Sequence, residues 1–251
     1  MSSHFSTIGF PVRNMEEYWT LARRAAEAGV RNVAADGSAL VRWAVDSGPE
    51  IWSNINRAGD VVGAIPFFTT GNAYRIAVTG LGDDPDEEME GWIDGWLEPS
   101  EDDEPFSGAF PLRASLVNYA LARSRLGALP SVHRMELVAL AHEADLFADD
   151  EAYARAPGEI YRVPVGSFTS SAHFAADDDD QAFSEATALL TGRIGSARLL
   201  ANPATSASFW WVQVAVRGVT LHTFADRETL GGEPLEGQIL GGSFWLLGRL
   251  L

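Results

Sequence analysis

The stretch Leu40-Val41-Arg42-Trp43-Ala44-Val45-Asp46-Ser47-Gly48-Pro49-Glu50-Ile51-Trp52-Ser53-Asn54-Ile55-Asn56 decides how the fold is read. Two runs rich in β-branched and aromatic residues flank Ser47-Gly48-Pro49, which is turn chemistry. The pattern predicts a hairpin with strands over 40–46 and 50–56. An even-numbered turn would pair Val45 with Glu50 and Trp43 with Trp52. Directly paired residues share a face, so Trp43, Glu50, Trp52 and Asn54 would form one mixed surface. Two indoles beside a carboxylate and an amide suit a small-ligand site, which needs an apolar wall and a few convergent polar groups. The competing reading packs the Trp pair under a helix, with Glu50 at the edge.

Working outward, Phe5 to Val12 reads as a strand. Asn14 followed by Glu17 reads as a capping box opening a helix that runs to about Ala28. Tyr18, Leu21, Ala22, Ala25 and Ala28 give that helix one apolar stripe, and Gly29 stands where a C-cap would. Val61 to Phe68 and Ala73 to Thr79 read as two further strands, so residues 1–82 form a β-α-β-β-β unit. Acidic runs from Asp83 to Glu90 and from Glu98 to Pro105 mark residues 83–130 as a linker. Within it, Trp92 and Trp96 act as anchors and a short helix covers 116–126. Residues 131–251 form a β-rich unit, barrel-like or a meander. Its strands are expected over 192–201, 208–217, 219–225 and 238–249, with Arg217-Gly218 as a tight turn. Gly241-Gly242 inside the last strand signals a bulge or sharp bend, and Asp177 to Asp180 opens a helix. The fold class is α+β, with no evident repeat between the two units.

Composition excludes several chemistries. The chain of 251 residues carries 18 Lys plus Arg against 35 Asp plus Glu, a net charge of −17. No basic stripe is available for phosphate backbones or anionic lipid, which excludes nucleic acid and membrane surfaces as partners. A small-molecule ligand, a protein partner or a second copy of the chain remain. With no Cys and no Lys, thiolate chemistry, Schiff bases and a P-loop lysine are excluded. Met1-Ser2-Ser3-His4 does not open a signal peptide and no apolar run reaches about 18 residues, so a cytoplasmic protein is expected. His4, His133, His142, His173 and His222 lack metal-site spacing. His142-Glu143 are neighbours, but adjacent residues on a strand point to opposite faces. No cofactor is expected.

The segments Ile8-Gly9-Phe10-Pro11-Val12, Asn14-Met15-Glu16-Glu17 and Gly48-Pro49-Glu50-Ile51-Trp52 resemble the vicinal oxygen chelate superfamily, the glyoxalase, bleomycin-resistance and dioxygenase-like proteins. The resemblance covers the first third of the chain. It implies a cupped sheet around a metal or small ligand, with Glu50 at the position of a late-strand carboxylate ligand. The first-strand ligand position falls at Thr7, and Glu136 would be the offering of a second module, so no tightly bound metal is expected. The ending from Gly241 to Leu250 is similar to the tail of uncharacterised bacterial proteins. Three functions stay open at this point: a metal-free small-molecule binder using the cupped sheet, a non-catalytic protein-interaction module, and a metal-dependent glyoxalase- or dioxygenase-like enzyme.

Overall fold

The computed structural model describes residues 4–46, 48–85, 87, 89–156, 163–170 and 186–251. The protein is α+β and mostly strand. Helix α1 (Met15–Ala28) precedes a four-stranded antiparallel meander of β1 (Val30–Val33), β2 (Ala39–Ala44), β3 (Pro49–Ile55) and β4 (Val61–Phe68). Next come β5 (Ala73–Asp83), β6 (Gly91–Leu97), β7 (Phe110–Leu116), α2 (Tyr119–Ala122) and β8 (Ser131–Phe147). After α3 (Asp150–Ala154) and β9 (Phe168–Ser170), the order returns as β10 (Thr187–Ala201), β11 (Ser208–Val216), β12 (Val219–Asp226), α4 (Arg227–Leu230) and β13 (Ile239–Leu250).

The second sheet closes twice. β8 pairs with β5, β5 with β6, β6 with β7, and β7 with β13. β13 pairs with β10, β10 with β11, β11 with β12, and β12 with β8. An antiparallel ribbon of β8 and β13, from Met135↔Leu250 to Phe147↔Ile239, closes both rings. The two halves share one plan, three strands, a short helix and a long strand. Each long strand returns antiparallel to the first strand of its own half and lies parallel to the third strand of the other. Even the bulge recurs, between Val78 and Gly80 in β5 and between Ile194 and Ser196 in β10. The fold is therefore an internal duplication. The duplication relates residues 73–147 to 187–250 and not the two units read from the sequence.

One apolar cluster runs through both rings, with Ile76, Ile93 and Leu112 in the first and Val214 and Leu221 in the second, joined by Ala139 and Leu246 of the ribbon. The opposite face of the ribbon, Val138, Leu140 and Leu247, packs with Trp52, Ile65 and Phe67 of the meander. The molecule is thus layered as helix, meander and double ring. At the start of α1, Asn14 accepts the Glu17 N–H at 3.0 Å, while the Glu17 carboxylate takes the Arg13 N–H at 2.9 Å. Gly29 ends the helix with φ −89°, so no left-handed turn demands it. A Cβ there would meet the Arg42 carbonyl at 2.6 Å, and close approach is the reason for the glycine.

Four expectations on architecture are corrected. Phe5–Val12 is not a strand. It holds a 3-10 turn (Ser6–Ile8) ended by Gly9 at φ 78°, and its carbonyls bond Asn202 and Thr205 in the β10–β11 loop rather than a sheet. The first unit is therefore α-β-β-β-β, and it ends at β4. β5 belongs to the double ring. Residues 83–130 are not a linker either, because β6 and β7 lie inside the first ring, with Trp92 and Trp96 on the half-buried face of β6. The helix expected over 116–126 shrinks to α2, and the helix expected at Asp177 lies outside the described residues.

A Cβ on Gly242 would collide with the Glu143 carbonyl oxygen across the ribbon. Overpacking of this kind costs about 1–3 kcal/mol. Gly242→Ala should lower stability by about that amount, and melts followed by Trp fluorescence and by far-UV circular dichroism should coincide, because one ribbon closes both rings.

Candidate functional site

The predicted face does not form as expected, and the cause is one residue in a turn. The Val45 N–H donates to the Pro49 carbonyl at 2.9 Å, leaving a three-residue connection, 46–48, with Gly48 at φ 119°. The turn is odd rather than even, so Glu50 pairs with Ala44, Trp52 with Arg42 and Asn54 with Leu40. A one-residue slip moves every side chain to the other face. Trp43 therefore turns to the α1 side, against Phe10 and under the Arg24 guanidinium at 5.0 Å. Arg42 shares the face of Glu50.

Glu50 is sealed inside an ion-pair cluster. It is 1% exposed and ion-paired with Arg42, with Arg249 Nη1 at 3.9 Å, and it accepts the Trp52 indole N–H at 2.9 Å. Arg249 also pairs with Glu136, which is 2% exposed and accepts the Gly71 N–H at 2.8 Å. Two carboxylates and two guanidiniums thus bolt the meander to the ribbon. The Glu50 carboxylate raises the Arg42 pKa above its ordinary value.

The site that does form lies at one end of that interface. A pocket of about 200 Å³ is lined by His4, Ile65, Asp84, Glu90, Gly91, Trp92, Ser115, His142, Thr187 and Trp245. Its floor is a row across four neighbouring strands. Trp92 of β6 pairs with Ser115 of β7, the Trp245 indole of β13 donates to Ser115 Oγ at 3.1 Å, and Thr187 of β10 pairs with Trp245. Its roof is Ile65 of β4 and His4. The His4 carbonyl accepts the Thr7 hydroxyl at 2.6 Å, which starts the 3-10 turn. One wall is the end of the β5–β6 hairpin, with Asp84 and Glu90.

His142 reaches the pocket through a bulge. Phe244 pairs with Ala141 and Ser243 with Glu143, so His142 is the extra residue in β8. Ala141 and Ala144 both enter the apolar core, leaving His142 and Glu143 together on the outer side. Bulges re-aim side chains in this way beside functional sites, and β13 carries no counterpart in its own half of the ribbon. His4 Nε2 lies 2.7 Å from His142 Nδ1, and their rings meet edge-on at 4.2 Å. One nitrogen donates and the other accepts, so the facing nitrogens are spent on each other.

Burial, then repulsion by His142, lowers the His4 pKa to about 4. Burial, then repulsion from Glu87 and Asp84, raises Glu90 to about 7, with the Asn54 amide donating to its carboxylate at 2.8 Å and working the other way. Near neutral pH the pocket therefore holds an uncharged imidazole and a half-ionised acid, the separation of titrations that acid–base sites use. The Thr187 hydroxyl oxygen is buried and has no hydrogen-bond partner among the described residues.

Of the four residues expected at the site, only Asn54 touches it, through Glu90. Thr7, at the first-strand ligand position, is buried in the 3-10 turn. Among the described residues no group of three or more His, Asp or Glu could hold a metal, and no helix is long and apolar enough to cross a membrane. Larger grooves of about 560 Å³ beside α4 and about 430 Å³ beside α1 bring exposed charged groups together, such as Arg227 with Glu233 and Glu16 with Arg24. No family model, curated protein or solved structure matches the chain.

Two outcomes follow from these charges. Glu50→Gln leaves two guanidiniums facing one carboxylate, and breaking a buried pair costs about 3–5 kcal/mol. A loss in that range is expected in denaturant titrations. Glu90 has a folded pKa above its ordinary 4.5, so its contribution is fully present below about pH 4.5 and is lost as pH rises through about 7. The difference corresponds to roughly 3 kcal/mol. Glu90→Gln should therefore raise the melting temperature at pH 8 and leave it nearly unchanged at pH 4.

Proposed function

We propose that the protein binds a small polar molecule in the pocket between the meander and the double ring, with His142, Glu90 and Thr187 as its polar contacts and Trp92 and Trp245 as its apolar wall. The observation that carries this reading is the convergence itself. Four strands of the double ring, a symmetry-breaking bulge and the N-terminal segment bring half-buried titratable groups and an unpartnered hydroxyl to one concave space. Buried polar groups are normally bonded, and a ligand with matching donors and acceptors would complete the set. A cavity of about 150 Å³ accepts benzene, so about 200 Å³ suits a molecule of about eight to ten non-hydrogen atoms.

The reading keeps small-molecule binding as the function but moves it off the face of Trp43, Glu50 and Trp52. The resemblance to vicinal oxygen chelate proteins rests on sequence motifs in and before the meander and lends this pocket no support.

Native mass spectrometry of the purified protein and a thermal-shift screen against small metabolites test the proposal. Thr187→Val removes the hydroxyl at nearly constant volume, and one lost hydrogen bond is worth about 1 kcal/mol. The variant should keep its melting temperature and bind a screening hit about fivefold more weakly. A hit whose affinity ignores Thr187→Val, His142→Gln and Glu90→Gln alike would place the ligand elsewhere and sink the proposal.

A further inference from the structure

We propose that the molecule taken by this pocket is a small organic cation, a protonated amine or a guanidine on a flat apolar body; this rests on the reading of the pocket as a ligand site. The charge of the lining points there. Asp84 and Glu90 line the pocket, and none of the described Arg residues does. The Arg113 guanidinium lies over the Trp92 ring at 4.8 Å, but it is held by Asp94 through bonds of 2.8 and 2.9 Å. Among the described lining residues an anion would therefore meet two carboxylates and no guanidinium. A cation would find a carboxylate wall beside the Trp245 indole, whose ring attracts positive charge, while one face of Trp92 is already taken by Arg113. The imidazole of His4 resists protonation, so it does not compete for that wall.

The same geometry couples binding to a proton. Glu90 faces Glu87 and Asp84 from its own hairpin, the Asn54 amide from β3, Tyr18 from α1, and shares the pocket with His4 and His142. Burial, then repulsion from Glu87 and Asp84, keeps Glu90 partly protonated near neutral pH. A bound cation favours the ionised form and expels that proton. Affinity should fall about tenfold for each pH unit below the Glu90 midpoint.

Isothermal titration calorimetry with three probes of one shape, benzylamine, benzyl alcohol and benzoate, tests this on the intact protein at pH 5.5 and pH 8. Benzylamine should bind at pH 8, at least tenfold more tightly than benzyl alcohol, and at least tenfold more weakly at pH 5.5. Benzoate should not bind. In Glu90→Gln the preference for benzylamine over the alcohol should shrink to a few-fold and its pH dependence should vanish. Asp84→Asn, which leaves Glu90 in place, should weaken benzylamine alone. Benzoate or the alcohol binding as tightly as benzylamine would overturn the cation assignment and leave the pocket standing as a ligand site. A benzylamine affinity untouched by Glu90→Gln and Asp84→Asn would overturn it too. Failure of all three probes on the wild type would count against both the cation and the pocket.

Discussion

The antiparallel ribbon of β8 and β13 is the constraint on which everything else rests. Each strand is an edge for its own half and a floor for the other, so neither ring has a closed hydrogen-bond circuit without it. An unpaired strand edge buried away from water is costly, and the ribbon removes that cost for both rings at once. Its inner face carries Ala139, Ala141 and Ala144 of β8 with Leu240, Phe244 and Leu246 of β13, all within the apolar cluster that the two interiors share. Its outer face carries Val138, Leu140 and Leu247, which receive the meander. The Gly242 backbone lies so close to Glu143 that no side chain fits between them. That contact sits beside the bulge that turns His142 outward.

The second fixed point is the charge cluster between meander and ribbon. Buried ion pairs are weak evidence for net stability, because desolvation offsets much of their attraction. Their effect here is on placement. Glu50, paired with Arg42 within the meander, can meet Arg249 of the ribbon in one position of the meander only, and in that position Asn54 reaches Glu90 and Ile65 roofs the pocket. The face singled out by its Trp and Glu residues is thus a clamp. The pocket lies where the clamp ends.

How far the sequence speaks depends on the range of the interaction. Local signals read well. The cap at Asn14, the strands around 40–44, 50–55 and 61–68, and the Arg217-Gly218 turn all follow from neighbouring residues, and the turn has both residues at positive φ. Gly241-Gly242 rightly signalled irregularity, although the extra residue sits across the ribbon in β8. Register was lost by one residue because Pro49 pairs with Val45 instead of lying in the turn. The duplication was hidden because equivalent strands are joined by unequal connections. Residues 98–109 link β6 to β7, whereas Arg217-Gly218 alone link β11 to β12. The first of those connections is acidic and rich in proline, so the strands around it read as linker. The His4–His142 contact spans 138 residues of chain and has no local signature. The one hint was the His beside a glycine-signalled bulge.

Sharing the ribbon also sets the order in which the molecule can be made. β8 is synthesised with β5, β6 and β7 already present, yet it cannot close the first ring, because the strand that seals β7 is β13. The second ring waits for the same twelve residues, Ile239–Leu250. During translation both halves therefore carry open strand edges until β13 emerges, and then both can complete in one event. Topologies dominated by such distant pairings fold slowly, and waiting edges invite pairing between nascent chains. Strong mutual repulsion between acidic chains, each of net charge −17, opposes that encounter. The acidity that reads as a mere surface property would then serve the chain before it has a finished surface at all.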